Sequence, residues 1–446
     1  MKMVKIANGQ GFWGDWLDAP VRLVEGGPLE YLTLDYLAEV TMSILQKQRK
    51  TNSDLGYARD FARLIAKIRE PIRDRNIRVI ANAGGVNPIA CAREVRRLAP
   101  DLKVAVVLGD DILGRIDELI AAGHELRNMD TNEPIATIRH RMQSANVYLG
   151  AFPLAQALGT GANVIITGRC ADAALAVAPM IYEFGWKPDD WHLLASGIVA
   201  GHVIECGAQA TGGNCHLDWQ STPDFAHIGY PIIEASANGD MVITKHVGTG
   251  GRVTQATVKE QLLYEIGNPR HYITPDVVAD FTTIRLSDEG PDRVRISSVK
   301  GSPRPETLKV SVSYHYGWKA VGTLVYSAPD ALTKARIAEH IVRQRLDDLH
   351  LVFEKLHTEF FGINACHADL APPIPEPAEV QIRIGARGPD KLAVERFTRE
   401  VIPLVLSGPP TATGYGEGRP QVREIVAYWP ALIPREAVRT CVEVIE

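Results

Sequence analysis

The chain has 446 residues, of which 46% are hydrophobic and 23% are charged, as is ordinary for a soluble globular protein. Its length predicts two or three domains, since a domain averages roughly 150 residues. The formal net charge of −5, without a basic stripe, argues against a nucleic-acid partner. No apolar run approaches the roughly 18 residues that a membrane span needs, so no membrane partner is expected.

The six cysteines are scattered, and none forms a C-x-x-C pair. Their spacing argues against a disulfide framework, a zinc site and an iron–sulfur cluster. The first residues lead directly into a predicted strand, without a signal peptide before it. We therefore expect a reduced, cytoplasmic protein.

The first predicted strand ends in a glycine-rich loop, Gly9-Gln-Gly-Phe-Trp-Gly14. Its Gly-x-Gly-x-x-Gly spacing resembles a dinucleotide fingerprint, but Asp15, Asp18 and Pro20 follow, where the fingerprint needs a helix and no acid beside the pyrophosphate. This argues against NAD as a cofactor. A polar substrate loop is the better interpretation, with Asn8, Gly11 and Asp15 as its functional positions.

The clearest strand–loop–helix unit begins with the strand at 78–81. Its loop carries Asn82, Gly84 and Asn87, and Pro88 suits the first turn of the next helix with Asn87 as its cap. A helix N-terminus behind a Gly-Gly loop is suited to an anion. The other interpretation, an ordinary turn between a strand and a helix, stays open.

Strands and helices alternate with few hairpin signals as far as residue 172, which predicts an α/β fold with a mostly parallel sheet and flanking helices. Ligands of such sheets bind at the carboxyl ends of strands. Asp110, Arg169 and Asp172 all follow predicted strands. Arg169 is suited to hold a carboxylate or phosphate through two hydrogen bonds, or it forms a structural ion pair with Asp172.

Two glycine-containing segments between residues 196 and 281 concentrate reactive side chains. Each is a candidate ligand loop, although a pair of tight turns would give the same local pattern. The first segment contributes the candidates Glu205, Cys206, Gln209, Thr211, Gly212 and Gly213. The second contributes Lys245, His246, Thr249 and Gly250.

The composition changes near residue 285, which predicts two domains, an α/β domain over 1–285 and a smaller α+β domain over 286–446. The second domain is expected to contain mixed or antiparallel strands, separated by glycine and proline turns. A long Gly/Pro loop at 407–419 is too polar for a core. It would reach a ligand site or a neighbouring subunit.

Several motifs occur together in this chain: 9–15, 82–88, 168–172, 205–213, 248–251, 260–265 and 272–276. On these motifs the chain resembles the acyclic terpene utilisation (AtuA) family from about residue 5 to its C-terminus. The resemblance implies catabolism of citronellol- or geraniol-type compounds. Likeness to proteins encoded beside methylaspartate and citramalate enzymes further implies hydration of an unsaturated branched acid or its CoA ester. Some relatives carry a small additional C-terminal domain, which this chain is expected to lack. A separate small subunit is therefore expected to take its place as a partner.

These observations together suggest a hydratase or dehydratase, a lyase acting on a carboxylic acid or acyl-CoA. Such chemistry needs an acid/base group, a second group at the hydroxyl and a clamp for the carboxylate or thioester. Glu205 and Asp172 are the acid/base candidates, and Arg169, Lys245 and the glycine-loop amides would hold the anion. Cys206 is either catalytic or a buried strand residue. His246 is either a base or a structural histidine.

Three points stay open at this stage. Asp15 and Asp172 would form a Mg²⁺ site if their carboxylates converge. A homo-oligomer is the ordinary expectation for such an enzyme. The alternative function is a non-catalytic scaffold or binding subunit of a multi-subunit catabolic enzyme. A hydrolase is less favoured, because the sequence contains no Gly-x-Ser-x-Gly motif.

Overall fold

The computed structural model describes residues 2–414 and 418–446. The chain divides into two compact units, hereafter unit 1 (Met1–Ser313 with Tyr428–Glu446) and unit 2 (Tyr314–Ala427). The sequence placed a boundary at 285, whereas here unit 2 begins later and the last residues return to unit 1. Of the predicted loop at 407–419, residues 415–417 lie outside the described residues.

The strands of the described residues are β1 Met3–Asn8, β2 Tyr31–Leu34, β3 Arg78–Ala81, β4 Val104–Leu108, β5 Met142–Val147, β6 Val164–Thr167, β7 Ile232–Ser236, β8 Met241–Thr244, β9 Tyr272–Ile273, β10 Val278–Asp280, β11 Arg285–Asp288, β12 Val294–Ser297, β13 Lys300–Ser302, β14 Thr307–Ser327, β15 Lys355–Phe361, β16 Glu379–Gly388, β17 Arg423–Pro434 and β18 Cys441–Ile445.

The α-helices are α1 Ala19–Gly26, α2 Glu39–Thr51, α3 Arg59–Lys67, α4 Arg69–Asp74, α5 Pro88–Leu98, α6 Ile116–Ala121, α7 Ala151–Gly159, α8 Ala174–Phe184, α9 Trp191–Glu205, α10 Gln255–Leu263, α11 Ala331–Asp348, α12 Lys391–Val401 and α13 Leu404–Ser407. Within the described residues, no helix has both the length and the apolar character to cross a membrane.

Unit 1 is built on a ten-stranded sheet in the order β11-β12-β8-β7-β1-β2-β3-β6-β4-β18. The five central strands pair in parallel, in the order β1-β2-β3-β6-β4. Antiparallel strands extend both edges. The prediction of a mostly parallel sheet is therefore confirmed only for the centre, and the whole sheet is mixed. Hairpins such as β7–β8, which turns through Gly239 at φ 86°, produce the antiparallel part.

The central strands are continuous apolar runs, because helices cover both faces of a parallel sheet. Residues 79–81, 104–107 and 164–166 are fully buried. Among the helices, α5 packs against β4 and β6, and α8 and α9 pack against β1. This core fixes the carboxyl ends of the central strands on one edge of the sheet.

The stretch before Glu205 differs from its sequence interpretation. It was expected to be a short apolar run feeding a loop, with Cys206 on a strand, but it forms the 15-residue helix α9 and Cys206 is the residue after it. Residues 194–204 are all buried. A helix that is buried on every side has no polar face, so its sequence lacks the 3.6-residue period that identifies a surface helix.

Unit 2 contains parts of β14 and β17 together with α11, β15, β16 and α12. This β–α–β–β–α–β order, with the sheet order β15-β16-β14-β17, is the ferredoxin-like arrangement. Both helices contribute to the core on one face of the sheet, where they meet Ala320, Leu324 and Tyr326 of β14. The alternate residues of β14 point away from this core.

A close approach between the first loop and the end of α9 gives a test of the fold. A Cβ atom added at Gly11 would lie 2.8 Å from the carbonyl carbon of Cys206. We expect Gly11→Ala to lower the free energy of unfolding by about 1–3 kcal/mol, because backbone must move. Gly114→Ala is the matched control, since nothing lies within 4 Å of its added Cβ. Urea unfolding of both variants measures the difference, and an equal effect in the two would contradict this packing.

Candidate active site

A cavity of about 540 Å³ opens at the carboxyl ends of β1, β2 and β6 and beside the C-terminus of α9. This is the edge of the sheet where ligands of such folds bind. The walls combine carboxyl groups with apolar and aromatic side chains. The described lining residues are Gly11, Phe12, Asp15, Asp35, Leu37, Ala38, Arg169, Asp172, Glu205, Cys206, Ala208, Gln209, Gly213, Asn214, Tyr230, Tyr264 and Glu265.

Asp35, directly after β2, is a buried carboxyl group in this wall. Its Oδ1 accepts hydrogen bonds from Asn82 Nδ2 at 2.7 Å and from the Leu37 amide at 3.1 Å. Burial raises the pKa of Asp35 well above its ordinary value, and the Asp172 charge adds to this, whereas Arg169 and the hydrogen bonds oppose it. Asp35 therefore favours its neutral, proton-donating form.

Asn82 fixes the orientation of Asp35. Its Oδ1 accepts a hydrogen bond from the Tyr36 amide at 2.7 Å while its Nδ2 donates to Asp35. Asn82 is fully buried and is not among the described residues that line the cavity. Asn82, which the sequence predicted to bind the substrate, therefore does not line the cavity but positions the Asp35 carboxyl group, which does.

Arg169 and Asp172, after β6, form an ion pair at 3.1 Å between Nη1 and Oδ1. The same guanidinium donates to the carbonyl oxygen of Leu37 and lies 4.3 Å from the ring centre of Tyr148. Arg169 has a side chain that is 3% exposed, and that of Asp172 is 38% exposed. Both interpretations of Arg169 are therefore compatible with the structure, because the structural ion pair forms within the wall of the cavity.

Glu205, the last residue of α9, shares a hydrogen bond with a buried histidine. His202 Nδ1 lies 3.0 Å from Glu205 Oε1, and Nε2 lies 3.1 Å from the carbonyl oxygen of Gln261. Because a carbonyl oxygen only accepts, Nε2 carries a hydrogen, and the Nδ1–Oε1 contact needs one further proton. Two ionisable groups thus hold that proton between them at the cavity wall.

Electrostatics keep this proton on the pair. Burial raises the pKa of Glu205, and the Asp172 charge raises it further, while His202 opposes both effects. Burial alone would lower the pKa of His202, but the charge and hydrogen bond of Glu205 outweigh it and raise that pKa. A carboxyl group with a raised pKa beside a cavity is suited to general acid/base chemistry near neutral pH.

The end of α9 is held against the first loop. Asn8 Nδ2 donates to the carbonyl oxygens of Ile204 and Glu205, both at 2.8 Å. The last carbonyls of a helix lack intrahelical partners, so the Asn8 amide satisfies the helix end together with the Cys206 amide, which also donates to the carbonyl oxygen of Ile204. Asn8 is buried and, like Asn82, positions a site residue. Gly11 leaves room for the backbone of Cys206 in the cavity wall.

Cys206 contributes a neutral thiol to the wall. Burial raises its pKa above the ordinary range, and the Glu205 charge raises it further. The thiolate is the nucleophilic form of cysteine. This environment therefore does not activate Cys206 as a nucleophile, and its place after α9, in the cavity wall, differs from the buried strand position that the sequence suggested.

Two further polar residues of the wall, Asp15 and Gln209, are held by hydrogen bonds. The Asp15 carboxylate accepts hydrogen bonds from the Gly11 amide at 2.9 Å, the Trp16 amide at 2.7 Å and the Tyr230 hydroxyl at 2.6 Å. Gln209 Oε1 accepts one from Gln261 Nε2 at 3.2 Å. Asp15 is thus a fixed anchor for the first loop at the edge of the cavity.

Several predicted site residues are placed elsewhere. Gly84 and Asn87 are not among the described residues of the cavity wall. Asn87 was expected to cap α5, but its side chain makes no cap hydrogen bond and instead donates to the carbonyl oxygens of Ser53 and Leu55. The carbonyl oxygens of the loop at 53–55 thus take the place of the helix end as partners of this side chain. Thr211 and Gly212 form the buried turn that follows α9, with Thr211 Oγ1 donating to Gly229.

The second glycine segment also lies outside this wall. Lys245 Nζ contacts Asp292 at 3.0 Å and the carbonyl oxygen of Thr249 at 2.9 Å. His246 Nε2 lies 2.9 Å from the carbonyl oxygen of Leu23, and burial lowers its pKa. The Gly250 amide donates to the carbonyl of His227. Lys245, His246, Thr249 and Gly250 thus form a packed turn, and the structure does not bring them to Glu205.

The sequence analysis missed Asp35, His202, Tyr230 and Glu265. His202 had a readable signal, because it precedes Glu205 by three residues, which places both on one face of a helix. That signal was hidden while the segment was interpreted as a loop. Among the described residues, no three His, Cys, Asp or Glu side chains are arranged to hold a metal ion.

Comparison with known proteins gives one match. The family model described as acyclic terpene utilisation family protein AtuA matches residues 4–444, which confirms the resemblance seen in the motifs. No curated protein and no solved structure matches the chain.

Asp110, after β4, offers a pH test of how tightly this edge is buried. Its Oδ2 accepts hydrogen bonds from the Arg169 amide at 2.8 Å and Asn146 Nδ2 at 2.9 Å, yet burial raises its pKa from 3.8 to about 7. Between these two values the folded protein keeps a proton that the unfolded chain releases. This group therefore makes the free energy of unfolding fall as pH rises through that window.

We expect Asp110→Asn to remove this dependence, which amounts to at most about 1.4 kcal/mol per pH unit. Urea unfolding of wild type and variant at several pH values between 4 and 7 measures it. The exposed Asp54→Asn serves as the control. If the difference between wild type and Asp110→Asn stays constant across the window, the carboxyl is not protonated in the fold.

Proposed function

The chain belongs to the acyclic terpene utilisation (AtuA) family, which indicates a role in acyclic terpene utilisation, and from this premise we propose that it is a hydro-lyase. It adds water to, or removes water from, a branched or unsaturated carboxylic acid or its CoA ester. The observation that carries the proposal is the pair of buried carboxyl groups, Asp35 and Glu205, whose pKa values are both raised and which line one cavity.

Hydration requires two proton transfers. A base takes a proton from water as its oxygen bonds to the β-carbon, the carbon–carbon double bond opens, and an acid delivers a proton to the α-carbon. Dehydration runs these steps in reverse. In dehydration, Glu205 takes the proton from the α-carbon, with His202 as the positioning residue that shares it, and the neutral Asp35 donates a proton to the departing hydroxyl group; in hydration, each group transfers the same proton in the opposite direction. Positioned acid/base groups of this kind each accelerate a reaction by roughly 10²–10⁴-fold.

Arg169 supplies the electrostatic part of the mechanism. Negative charge develops on the carbonyl oxygen of the acid or thioester when the α-carbon gains or loses its proton. A guanidinium that is buried in a low-dielectric wall stabilises such charge better than it would in water. Asp172 holds the guanidinium in place at 3.1 Å.

The balance of charge in the wall favours the thioester over the free acid. Asp15, Asp35, Asp172, Glu205 and Glu265 contribute carboxyl groups, and Arg169 is the only basic residue among the described lining. A free carboxylate would be repelled by the ionised members, whereas the reacting end of a thioester is neutral. The apolar part of the wall, which includes Phe12, Leu37 and Tyr264, would accept the branched hydrocarbon chain.

The decisive variants are Glu205→Gln and Asp35→Asn, which remove the acid/base function and keep the side-chain size. With a panel of branched unsaturated acids and CoA esters, we expect each variant to lower kcat for water addition by about 10²–10⁴-fold. Glu25→Gln, an exposed carboxyl, is the control and should leave kcat unchanged. Circular dichroism and thermal unfolding verify that the variants fold.

Two outcomes would contradict the proposal. If wild-type protein turns over no acid or ester in the panel, the hydro-lyase assignment fails. If Glu205→Gln and Asp35→Asn retain full turnover, the chemistry lies elsewhere, and the role of a scaffold subunit, which does not need these carboxyl groups, gains weight.

A further inference from the structure

A smaller cavity of about 120 Å³, hereafter the side pocket, lies between the turn that follows α9 and one face of α10. Gln209, Gly213, Asn214 and Tyr264 line both this pocket and the candidate active site, so the two cavities share a wall. Sites for whole ligands span roughly 300–1,000 Å³, whereas this volume equals about four water molecules. The side pocket therefore has the size of a subsite for one group of a molecule bound in the larger cavity.

Glu260, on α10, connects that helix to the chain segment that closes the side pocket. Its Oε1 accepts a hydrogen bond from the His216 amide at 2.7 Å, and its Oε2 accepts from Cys215 Sγ at 2.9 Å and from the Leu217 amide at 3.4 Å. Burial raises the pKa of Glu260, but these hydrogen bonds outweigh burial and lower it. The wall thus contains an ionised carboxylate. Three of its roughly four lone-pair sites are used, which leaves about one for a ligand N–H group.

Gln209 supplies a hydrogen-bond donor at the wall that the two cavities share. Its Oε1 accepts a hydrogen bond from Nε2 of the buried Gln261 at 3.2 Å, which sets the orientation of the Gln209 amide. Its Nε2 makes no hydrogen bond with another described residue. A carbonyl oxygen of a ligand would satisfy this donor.

The charge of the side pocket selects a neutral ligand group. Its described lining contains no Lys or Arg, and the Glu260 carboxylate repels a phosphate or a second carboxylate. A purely apolar group would displace water from Gln209 Nε2 without replacing the hydrogen bond, which is unfavourable. A group that accepts one hydrogen bond and donates another satisfies both Gln209 and Glu260. An amide with its neighbouring carbons does this and also fills the volume, which a single hydroxyl group does not.

We propose that the side pocket binds the amide group nearest the sulfur of a CoA-type thioester, with its carbonyl oxygen on Gln209 Nε2 and its N–H on Glu260. The assignment rests on the proposed function, since the acyl end of the same molecule would lie beside Glu205 in the larger cavity. Glu205 and Gln209 are four residues apart in the chain and line that cavity together. In a CoA thioester, two carbons separate the sulfur from this amide, so the arm carries the amide into the adjoining pocket.

Two thioesters of one saturated branched acid test the assignment by calorimetric titration of the full chain. The N-acetylcysteamine thioester carries the amide, and the S-pentyl thioester replaces it with carbons. Neither acyl group can be hydrated or dehydrated, so binding is measured without turnover. We expect the wild-type protein to bind the amide-bearing thioester about tenfold more tightly, because the S-pentyl arm loses both hydrogen bonds.

Gln209→Leu should reduce this preference to about threefold or less, since the donor is removed. Gln220→Leu is the matched control, because Gln220 is exposed and is not among the described lining of either cavity. It should keep the full preference. Circular dichroism verifies the fold of both variants, and the comparison of the two thioesters on wild-type protein decides the question if Gln209→Leu does not fold.

The assignment is overturned if the wild-type protein binds the two thioesters within about twofold of each other, or if neither binds at about 1 mM. It is also overturned if folded Gln209→Leu keeps the same preference as Gln220→Leu. Turnover of unsaturated thioesters separates this result from the proposed function. A preference for the amide without turnover contradicts only the hydro-lyase assignment, and turnover without the preference contradicts only the side-pocket assignment.

Discussion

The candidate active site depends on one contact, the closure of the α9 C-terminus onto the end of β1. Asn8 donates both hydrogens of its amide to the last carbonyls of the helix, and Gly11 lets the following backbone approach closely. Without this closure, the Glu205 carbonyl would lose its Asn8 partner, at a cost of about 1–3 kcal/mol, whereas the Ile204 carbonyl would keep the Cys206 amide. With it, Glu205 is delivered to the carboxyl edge of the sheet, beside residues that the strands place there.

Desolvation raises the pKa of the two carboxyl groups that the proposed mechanism uses as acid/base groups. Asp35 and Glu205 are removed from water, and both feel the charge of Asp172. Hydrogen bonds partly oppose this rise in pKa, because Asn82 donates to Asp35 and His202 shares a proton with Glu205. The cost of burying these groups reduces the stability of the fold, and strongly shifted carboxyl groups in a cavity support the proposed acid/base function. Arg169 supplies positive charge in the same wall. Its guanidinium contacts Asp172, the carbonyl oxygen of Leu37 and the ring of Tyr148, which fix its position.

The sequence predicted those parts of the site that follow from local rules. Polar residues directly after buried strands, such as Asn82, Arg169 and Asp172, were identified because parallel strands end on one edge. The helix α9 was missed since complete burial removes the period on which helix prediction relies. Because the helix was missed, the spacing that places His202 and Glu205 on one helix face was missed as well. The motif at 244–252 looked like the motif at 205–214, but only long-range packing decides which glycine turn faces the cavity, and here Lys245 and His246 are taken by Asp292 and Leu23. Asp35 directly follows β2, yet nothing in the local sequence distinguishes it from a solvated acid.

The most direct test of the account is hydrogen exchange at the α-carbon of a branched acyl-CoA in D₂O. The wild-type protein should incorporate deuterium at that carbon, because the same proton transfer occurs in hydration and dehydration, and mass spectrometry detects the label even when the equilibrium favours one side. Glu205→Gln should abolish this incorporation while the protein remains folded. The absence of label with wild-type protein, or undiminished labelling by the variant, would contradict the assignment of Glu205 to the proton transfer.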